Sequence, residues 1–162
     1  MTLRFLAGSA SLLPAMYRKI LVALENSPAD ASLIPHVTRL ARQLGSEVLL
    51  VHVADGWAAR NFNQLKLAES EEMKADRAYL EKIAASFREQ GVKATTQLAL
   101  GDPPKELLKA AETENCDLIA MASHGHRLIG DLIFGSTIHE VRHHTSIPVL
   151  LVRATPHDSQ QP

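Results

Sequence analysis

Short, continuous apolar runs alternate along this chain with segments of helical periodicity, and this alternation restricts the possible folds more than any other feature. Four runs, 19–24, 48–53, 117–121 and 148–152, are apolar almost throughout, the pattern of parallel strands covered on both faces. A fifth segment, 92–100, alternates and is partly β-branched. Strands that alternate with helices indicate right-handed crossovers. We therefore predict an α/β fold, a single doubly wound (Rossmann-like) sheet of five parallel strands in the order 3-2-1-4-5, with helices on both faces.

The helical segments carry recognisable start and stop signals. Ser27 is a good N-cap and is followed by proline, which suits the first helical position. Gly45 is expected to end that helix. Asp102 is the expected cap of the third helix, and the fourth is predicted over about 136–144. No repeat or low-complexity block interrupts the series.

The two ends of the chain fall outside this pattern. The apolar stretch in residues 1–15 is broken by small residues and is too short to span a bilayer. Because Met16 directly precedes the first strand, we interpret residues 1–15 as a disordered extension or a start-site artefact, with a targeting segment as the alternative. Residues 16–154 form the predicted domain, and the polar tail 155–162 is expected to be flexible.

Composition restricts the partners and the compartment. A length of 162 residues suits one domain. A formal net charge of −1 gives no electrostatic reason to expect binding to nucleic acid or to an anionic membrane. Because Cys116 is the single cysteine, the chain cannot build a disulfide framework or a thiolate metal site, which favours a reduced, cytoplasmic setting.

Parallel sheets bind ligands beyond the carboxyl ends of their strands, where the winding reverses. In this chain those positions are Glu25 and the segment that starts at Ala122. Nine residues separate Gly125 from Gly135 and Ser136. A glycine after a strand permits close approach of a ligand, and the amides at a helix start favour phosphate oxygens. The pattern alone fits either phosphate binding or a simple cap formed by Ser136.

The glycine pattern differs from two common phosphate motifs, since the sequence has no Walker-type G-x-x-x-x-G-K-[ST] and no G-x-G-x-x-G after the first strand. It resembles instead the loop of nucleotide-binding universal stress proteins, G-x-x-G, nine residues, then G-[ST]. Gly125, Gly135 and Ser136 match that pattern, whereas Ala122 replaces the first glycine. Other segments that resemble the family are YRKILVALENS, LLVHV, GDPPKELLKAA and SIPVLLVR. The similarity covers about residues 16–153.

The resemblance implies a site for ATP, AMP or ADP, which Mg²⁺ could accompany. The family's adenosine pocket and phosphate cradle would map onto Ala23, Glu25, Val53, Met121, Ala122, His124, Gly125, Gly135, Ser136, Thr137 and Ile138. Glu25 stands where the family usually has aspartate, one methylene shorter. Ala122 adds a methyl group where the backbone approaches the ligand, which a negative φ tolerates. Both departures could alter affinity or nucleotide choice.

The family resemblance also implies a dimeric regulator of the stress response. The expected homodimer forms through the last strand, 148–152, whose edge would otherwise be an exposed template for pairing. We expect neither nucleic acid nor a membrane as a partner. The alternatives are a dimerisation module without nucleotide and a weak ATP hydrolase. We assign no catalytic residue because no general base is evident beside the phosphate cradle.

A second motif competes with this interpretation. Residues 139–143 read HEVRH, a literal H-E-x-x-H, whose histidines share one helix face and could ligate zinc. The motif begins three residues after Ser136, Pro148 leaves only a short helix, and the candidate third ligands after the motif are His144 and His157. We therefore predict neither a zinc protease nor a resident metal, and interpret the histidines as suited to the helix dipole. Capture of a metal without catalysis stays open.

Overall fold

Strands and helices alternate in the computed structural model, which describes residues 16–54, 71–124 and 132–155. For residues 132–135 it describes the backbone alone. The elements are β1 (Lys19–Leu24), α1 (Asp30–Leu44), β2 (Glu47–Ala54), α2 (Glu71–Glu89), β3 (Ala94–Leu100), α3 (Pro103–Thr113), β4 (Leu118–Ser123), α4 (Leu132–His144) and β5 (Val149–Arg153). Residues 1–15, interpreted above as an extension, and residues 156–162 of the predicted tail lie outside the described ranges.

The sheet has the strand order β3-β2-β1-β4-β5. Every adjacent pair is parallel, and in the centre Ile20 of β1 pairs with Val48 of β2 on one side and Leu118 of β4 on the other. The predicted fold class and strand order are confirmed. Because β1 continues to β2 on one side and β4 lies on its other side, the winding reverses between β1 and β4.

Each face of the sheet has its own apolar core. Successive strand residues point to opposite faces, so Ile20 and Val22 lie in the core shared with α1 and α2, whereas Leu21 and Ala23 lie in the core shared with α3 and α4. Full burial of a valine, leucine or isoleucine side chain stabilises the fold by roughly 1.5–3 kcal/mol. This double burial explains why the strands are apolar almost throughout.

The turn after β1 differs from the predicted helix start. Helix α1 begins at Asp30, three residues after Ser27. The Ser27 hydroxyl accepts a hydrogen bond from the Ala29 amide at 3.2 Å, while the Asp30 carboxylate accepts one from the Ser27 amide at 3.3 Å. Ser27 therefore stabilises a turn that precedes the helix. Gly45 ends α1 as predicted, with a left-handed φ of 69°.

Helix α4 begins at Leu132, four residues before the predicted start at 136. One glycine in a helix interior costs only about 1 kcal/mol relative to alanine, so the helix can include Gly135. The amides without an intrahelical acceptor belong to the first turn of a helix. In this structure that turn starts at Leu132, so the prediction that Gly135 and Ser136 open the helix is wrong.

Two strand ends lie two residues away from their predicted positions, and the other strand ends differ by one residue at most. Strand β3 starts at Ala94 because the amide of Val92 donates to the Phe87 carbonyl and so closes the end of α2. Strand β4 extends to Ser123, which pairs with Arg153. None of the helices within the described ranges is both long enough and apolar enough to cross a membrane.

Candidate functional site

A cleft of about 230 Å³ opens at the carboxyl ends of β1, β2 and β4, beside α3 and α4. It lies at the point where the winding of the sheet reverses, the usual ligand position in such folds. Six of the residues predicted for the site line it: Ala23, Glu25, Val53, Met121, Ala122 and Thr137. The structure therefore brings together residues from four elements that are distant in sequence.

The walls of the cleft are mostly apolar. Strand residues Val51 and Val53 line it together with Met121, and Leu107 of α3 closes it from the side. An apolar slot with few polar groups at its rim is typical of small-molecule sites. Such walls suit a flat ring system better than a highly charged group.

Helix α3 contributes residues that the sequence analysis missed. Pro103 and Leu107 line the cleft, and their spacing of four places them on one helix face. Gly101 lies in the tight turn between β3 and α3 that leads into this helix. Its φ of 140° is a left-handed value, which glycine adopts more readily than other residues. The signal in the sequence was the Gly-Asp-Pro turn at the end of β3, since the ends of parallel strands meet at one edge of the sheet.

Glu25 lies at the polar rim of the cleft, and His124, which is not among the residues that line the cleft, contacts Glu25 from the end of β4. His124 Nε2 lies 2.8 Å from Glu25 Oε2, so the contact joins the ends of β1 and β4. The Ser27 hydroxyl donates to the same carboxylate oxygen at 3.1 Å. Burial raises the pKa of Glu25, although the hydrogen bond and the charge of His124 oppose the shift. The second carboxylate oxygen gives the cleft an acceptor for a hydroxyl or amine of a ligand.

A buried carboxylate holds the loop behind Glu25 in place. Asp30, which is 2% exposed, accepts hydrogen bonds from the Glu25 amide at 3.1 Å and from the Tyr79 hydroxyl at 2.7 Å. Burial and the neighbouring Asp30 carboxylate raise the pKa of Tyr79, so its hydroxyl stays protonated and donates. Nothing in the sequence pattern pointed to this contact, because its partners lie on separate elements.

A second polar contact supports the ends of β1 and β2. Asn26 has a left-handed φ of 55°, which asparagine tolerates better than most residues, and its side chain donates to Asp76 Oδ1 at 3.1 Å. His52 Nδ1 lies 2.8 Å from the Leu24 carbonyl. Because a carbonyl can only accept, Nδ1 carries the proton. His52 Nε2 then faces Asp76 Oδ2 at 3.6 Å.

The residues predicted for a phosphate cradle are distributed unevenly. Thr137 is buried and faces the cleft, whereas Ser136 is exposed and lines an adjoining groove of about 410 Å³. Ile138 packs against the core beneath α3 and α4, so its side chain is not among those that line the cleft. Gly135 lies inside α4, and Gly125 lies outside the described residues.

Comparison with known proteins gives a match over almost the whole domain. The family model of the universal stress protein family matches residues 16–153. The universal stress protein MJ0577 of Methanocaldococcus jannaschii is 30% identical over 158 residues, which cover 85% of this chain and 96% of that protein. A solved structure of MJ0577 has a TM-score of 0.72 at 28% identity and covers 87% of this chain and 99% of that one.

Two further solved structures share the fold. The universal stress protein from Archaeoglobus fulgidus, solved in complex with dAMP, has a TM-score of 0.62 at 19% identity and covers 85% of this chain and 98% of that one. A universal stress protein in complex with cAMP has a TM-score of 0.64 at 15% identity, with 86% and 99% covered. At such identities the likeness concerns the fold alone. The match to the family model does not depend on these two structures, and it spans the sheet, its helices and the cleft. The chain therefore belongs to the universal stress protein family.

Proposed function

We propose that this chain binds an adenine nucleotide, ATP in the first place, in the cleft between β1 and β4. The observation that carries the proposal is the convergence of six residues, predicted from the sequence, on one apolar cleft at the point where the winding reverses. Fold relatives solved in complex with dAMP and cAMP support the ligand class. The proposal implies a regulator of the stress response whose state follows nucleotide occupancy.

The chemistry of the cleft assigns a place to each part of the nucleotide. The purine would lie between Val53 and Met121, whose side chains offer the apolar contact that a flat ring needs. The ribose hydroxyls would donate to Glu25 at the rim. The phosphates would lie towards α4, where Thr137 and Ser136 carry hydroxyl donors. In the described ranges no cluster of three or more potential metal ligands occurs, so Mg²⁺ would arrive with the phosphates of ATP.

The proposal extends to a homodimer formed through β5. This strand lies at one end of the sheet, and a strand at that position presents unpaired backbone groups to any second strand. Leu151 in its middle is 38% exposed and is one of three large apolar side chains that are exposed in the described ranges. A second copy of the same strand would satisfy the backbone groups and cover Leu151.

We place this dimer in the cytoplasm. Cys116 is a free, buried thiol, and burial raises its pKa to about 11. A thiol in this state resists oxidation because the reactive form is the thiolate. A reduced compartment suits a protein that keeps its single cysteine as a core residue.

Calorimetric titration of the purified chain with ATP, ADP and AMP tests the site. We expect micromolar binding of ATP. Ser136→Ala and Thr137→Val should each weaken it five- to tenfold, equivalent to about 1–1.4 kcal/mol for a lost hydrogen bond.

The matched control is Thr95→Val, because Thr95 is an exposed residue of β3 outside the cleft. It should leave the affinity unchanged. Equal affinities for the Thr95→Val and Thr137→Val proteins, both shown to be folded by circular dichroism, would place the nucleotide elsewhere.

A further inference from the structure

The HEVRH segment that the nucleotide proposal leaves unexplained forms part of the second half of α4. His139 and His143 lie four positions apart, which places them on one face of the helix. Their ring centroids are 4.2 Å apart, with an angle of 52° between the ring planes. The His139 side chain is 68% exposed and His143 is exposed as well. Both rings are therefore adjacent to each other and open to solvent.

We propose that His139 and His143 chelate one divalent transition-metal ion of the class that prefers imidazole ligands, namely Cu²⁺, Ni²⁺ or Zn²⁺. Bonds from such an ion to imidazole nitrogen are about 2.0–2.1 Å long, so one ion joins nitrogens roughly 3 Å apart. Neighbouring rings with centroids at 4.2 Å reach that spacing by side-chain rotation alone. Cu²⁺ should bind most tightly, because affinity for a nitrogen site follows the Irving–Williams order.

The carboxylate of Glu140 supports this assignment. Its Oε1 lies 4.0 Å from His139 Nδ1. This distance is longer than a hydrogen bond, so Glu140 acts through its charge: a negative charge beside His139 favours a cation at the pair.

His144 does not belong to the pair. Its Nδ1 contacts the Glu140 carbonyl at 2.9 Å and lies 3.4 Å from Glu140 Oε2. It lines the groove between α3 and α4, which neither His139 nor His143 lines. Two protein ligands thus hold the ion, and water fills the other positions, since the described ranges contain no cluster of three or more potential ligands. The geometry is that of a surface chelate, not of a hydrolase.

The ion should also stabilise the fold. Both ligands belong to one turn of α4, and the unfolded chain does not hold them together, so binding favours the helical state. Neither histidine lines the cleft between β1 and β4. The proposed metal site therefore shares no lining residue with the cleft and can be tested without nucleotide.

Titration of the full, untagged chain with CuCl₂ in a buffer that does not coordinate Cu²⁺ tests the proposal. We expect one equivalent to bind. His139→Gln and His143→Gln should each weaken the affinity at least tenfold. Electron paramagnetic resonance of the Cu²⁺ complex should show two coupled nitrogens in the unsubstituted chain and fewer in either variant. NiCl₂ should raise the thermal midpoint of the unsubstituted chain but not that of His143→Gln.

The controls are His144→Gln on the same helix and His36→Gln on α1, both exposed histidines. Each should bind Cu²⁺ within twofold of the unsubstituted chain. The proposal fails if one equivalent of Cu²⁺ remains bound with unchanged affinity in His139→Gln and His143→Gln. It also fails if His144→Gln loses as much affinity as His143→Gln, or if the unsubstituted chain binds no ion.

Discussion

Glu25 is identified as a site residue both by the family resemblance and by the geometry of the cleft. Its carboxylate reaches His124 across the point where the winding reverses, and it accepts a hydrogen bond from Ser27, two residues further along the chain. The sequence could nominate Glu25 and His124 because both follow apolar strands. It could not predict that they contact each other, nor that Asp30 holds the intervening loop through Tyr79. Such contacts depend on the exact packing of separate elements.

The shifted pKa of Glu25 predicts a pH dependence of stability. Burial raises the pKa above the ordinary value of 4.5, so the folded chain binds this proton more tightly than the unfolded chain does. The stability that the Glu25 proton contributes is fully present below the pKa that Glu25 has in the unfolded chain. It is lost as the pH rises through the pKa of Glu25 in the folded chain. Urea denaturation between about pH 4 and 7 should therefore show the unsubstituted chain losing stability relative to Glu25→Gln as the pH rises.

Glu81→Gln provides a control with the opposite sign. The hydrogen bond from Thr96 lowers the pKa of Glu81, so its contribution is present above the unfolded pKa and is lost as the pH falls. The unsubstituted chain should gain stability relative to Glu81→Gln as the pH rises. A difference between the unsubstituted chain and Glu25→Gln that is flat or rises with pH would contradict the account of Glu25.

At the scale of elements, the periodic patterns predicted every strand and helix of the described ranges but not all of their ends. Gly45 was predictable because a left-handed residue ends a helix by a local rule. The start of α4 was not predictable, because the free-energy cost of Gly135 inside a helix is small and the rest of the helix offsets it. The contribution of Pro103 and Leu107 to the cleft was not predicted either, because it depends on how α3 packs against the sheet.

Gly101 offers a prediction at this scale. An added Cβ would sit at a φ of 140°, a value that side chains rarely adopt, and would meet the Glu106 side chain at 3.4 Å. Gly101→Ala should lower the free energy of unfolding by about 1–3 kcal/mol. It should also weaken ATP binding, because the altered turn positions Pro103 and Leu107 at the cleft. Urea denaturation and calorimetry on the same preparation measure the two effects.

Gly45→Ala is the matched control, since Gly45 also has a positive φ but ends α1 away from the residues that line the cleft. It should destabilise the fold and leave the ATP affinity of the folded protein unchanged. If both variants bind ATP as the unsubstituted chain does, the turn at Gly101 does not position the cleft.

At the scale of the whole molecule, the alternation of strands and helices was sufficient to predict the sheet and its order, because right-handed crossovers leave few arrangements. The same order leaves β3 and β5 at the two ends of the sheet. The proposal of β5 depends on family resemblance and on the exposure of Leu151.

Leu151→Lys should convert the proposed dimer to a monomer. A charge in the middle of an edge strand opposes strand pairing, and it removes the apolar contact that the partner would cover. Sedimentation velocity measures the outcome. Thr95→Lys, which places the same charge on an exposed residue of the opposite edge strand, should remain dimeric. A Leu151→Lys protein that sediments as a dimer would contradict pairing through β5.

Methyl NMR of the methionine-labelled chain tests the central claim most directly. The chain has four methionines, and Met121 is the one among the described residues that lines the cleft. Met16 precedes the amino end of β1, opposite the strand ends that form the cleft, and it is 66% exposed. It therefore reports non-specific effects. On titration with ATP we predict a saturable shift of the Met121 methyl resonance and none for Met16. An unchanged Met121 resonance at millimolar ATP would contradict nucleotide binding in this cleft.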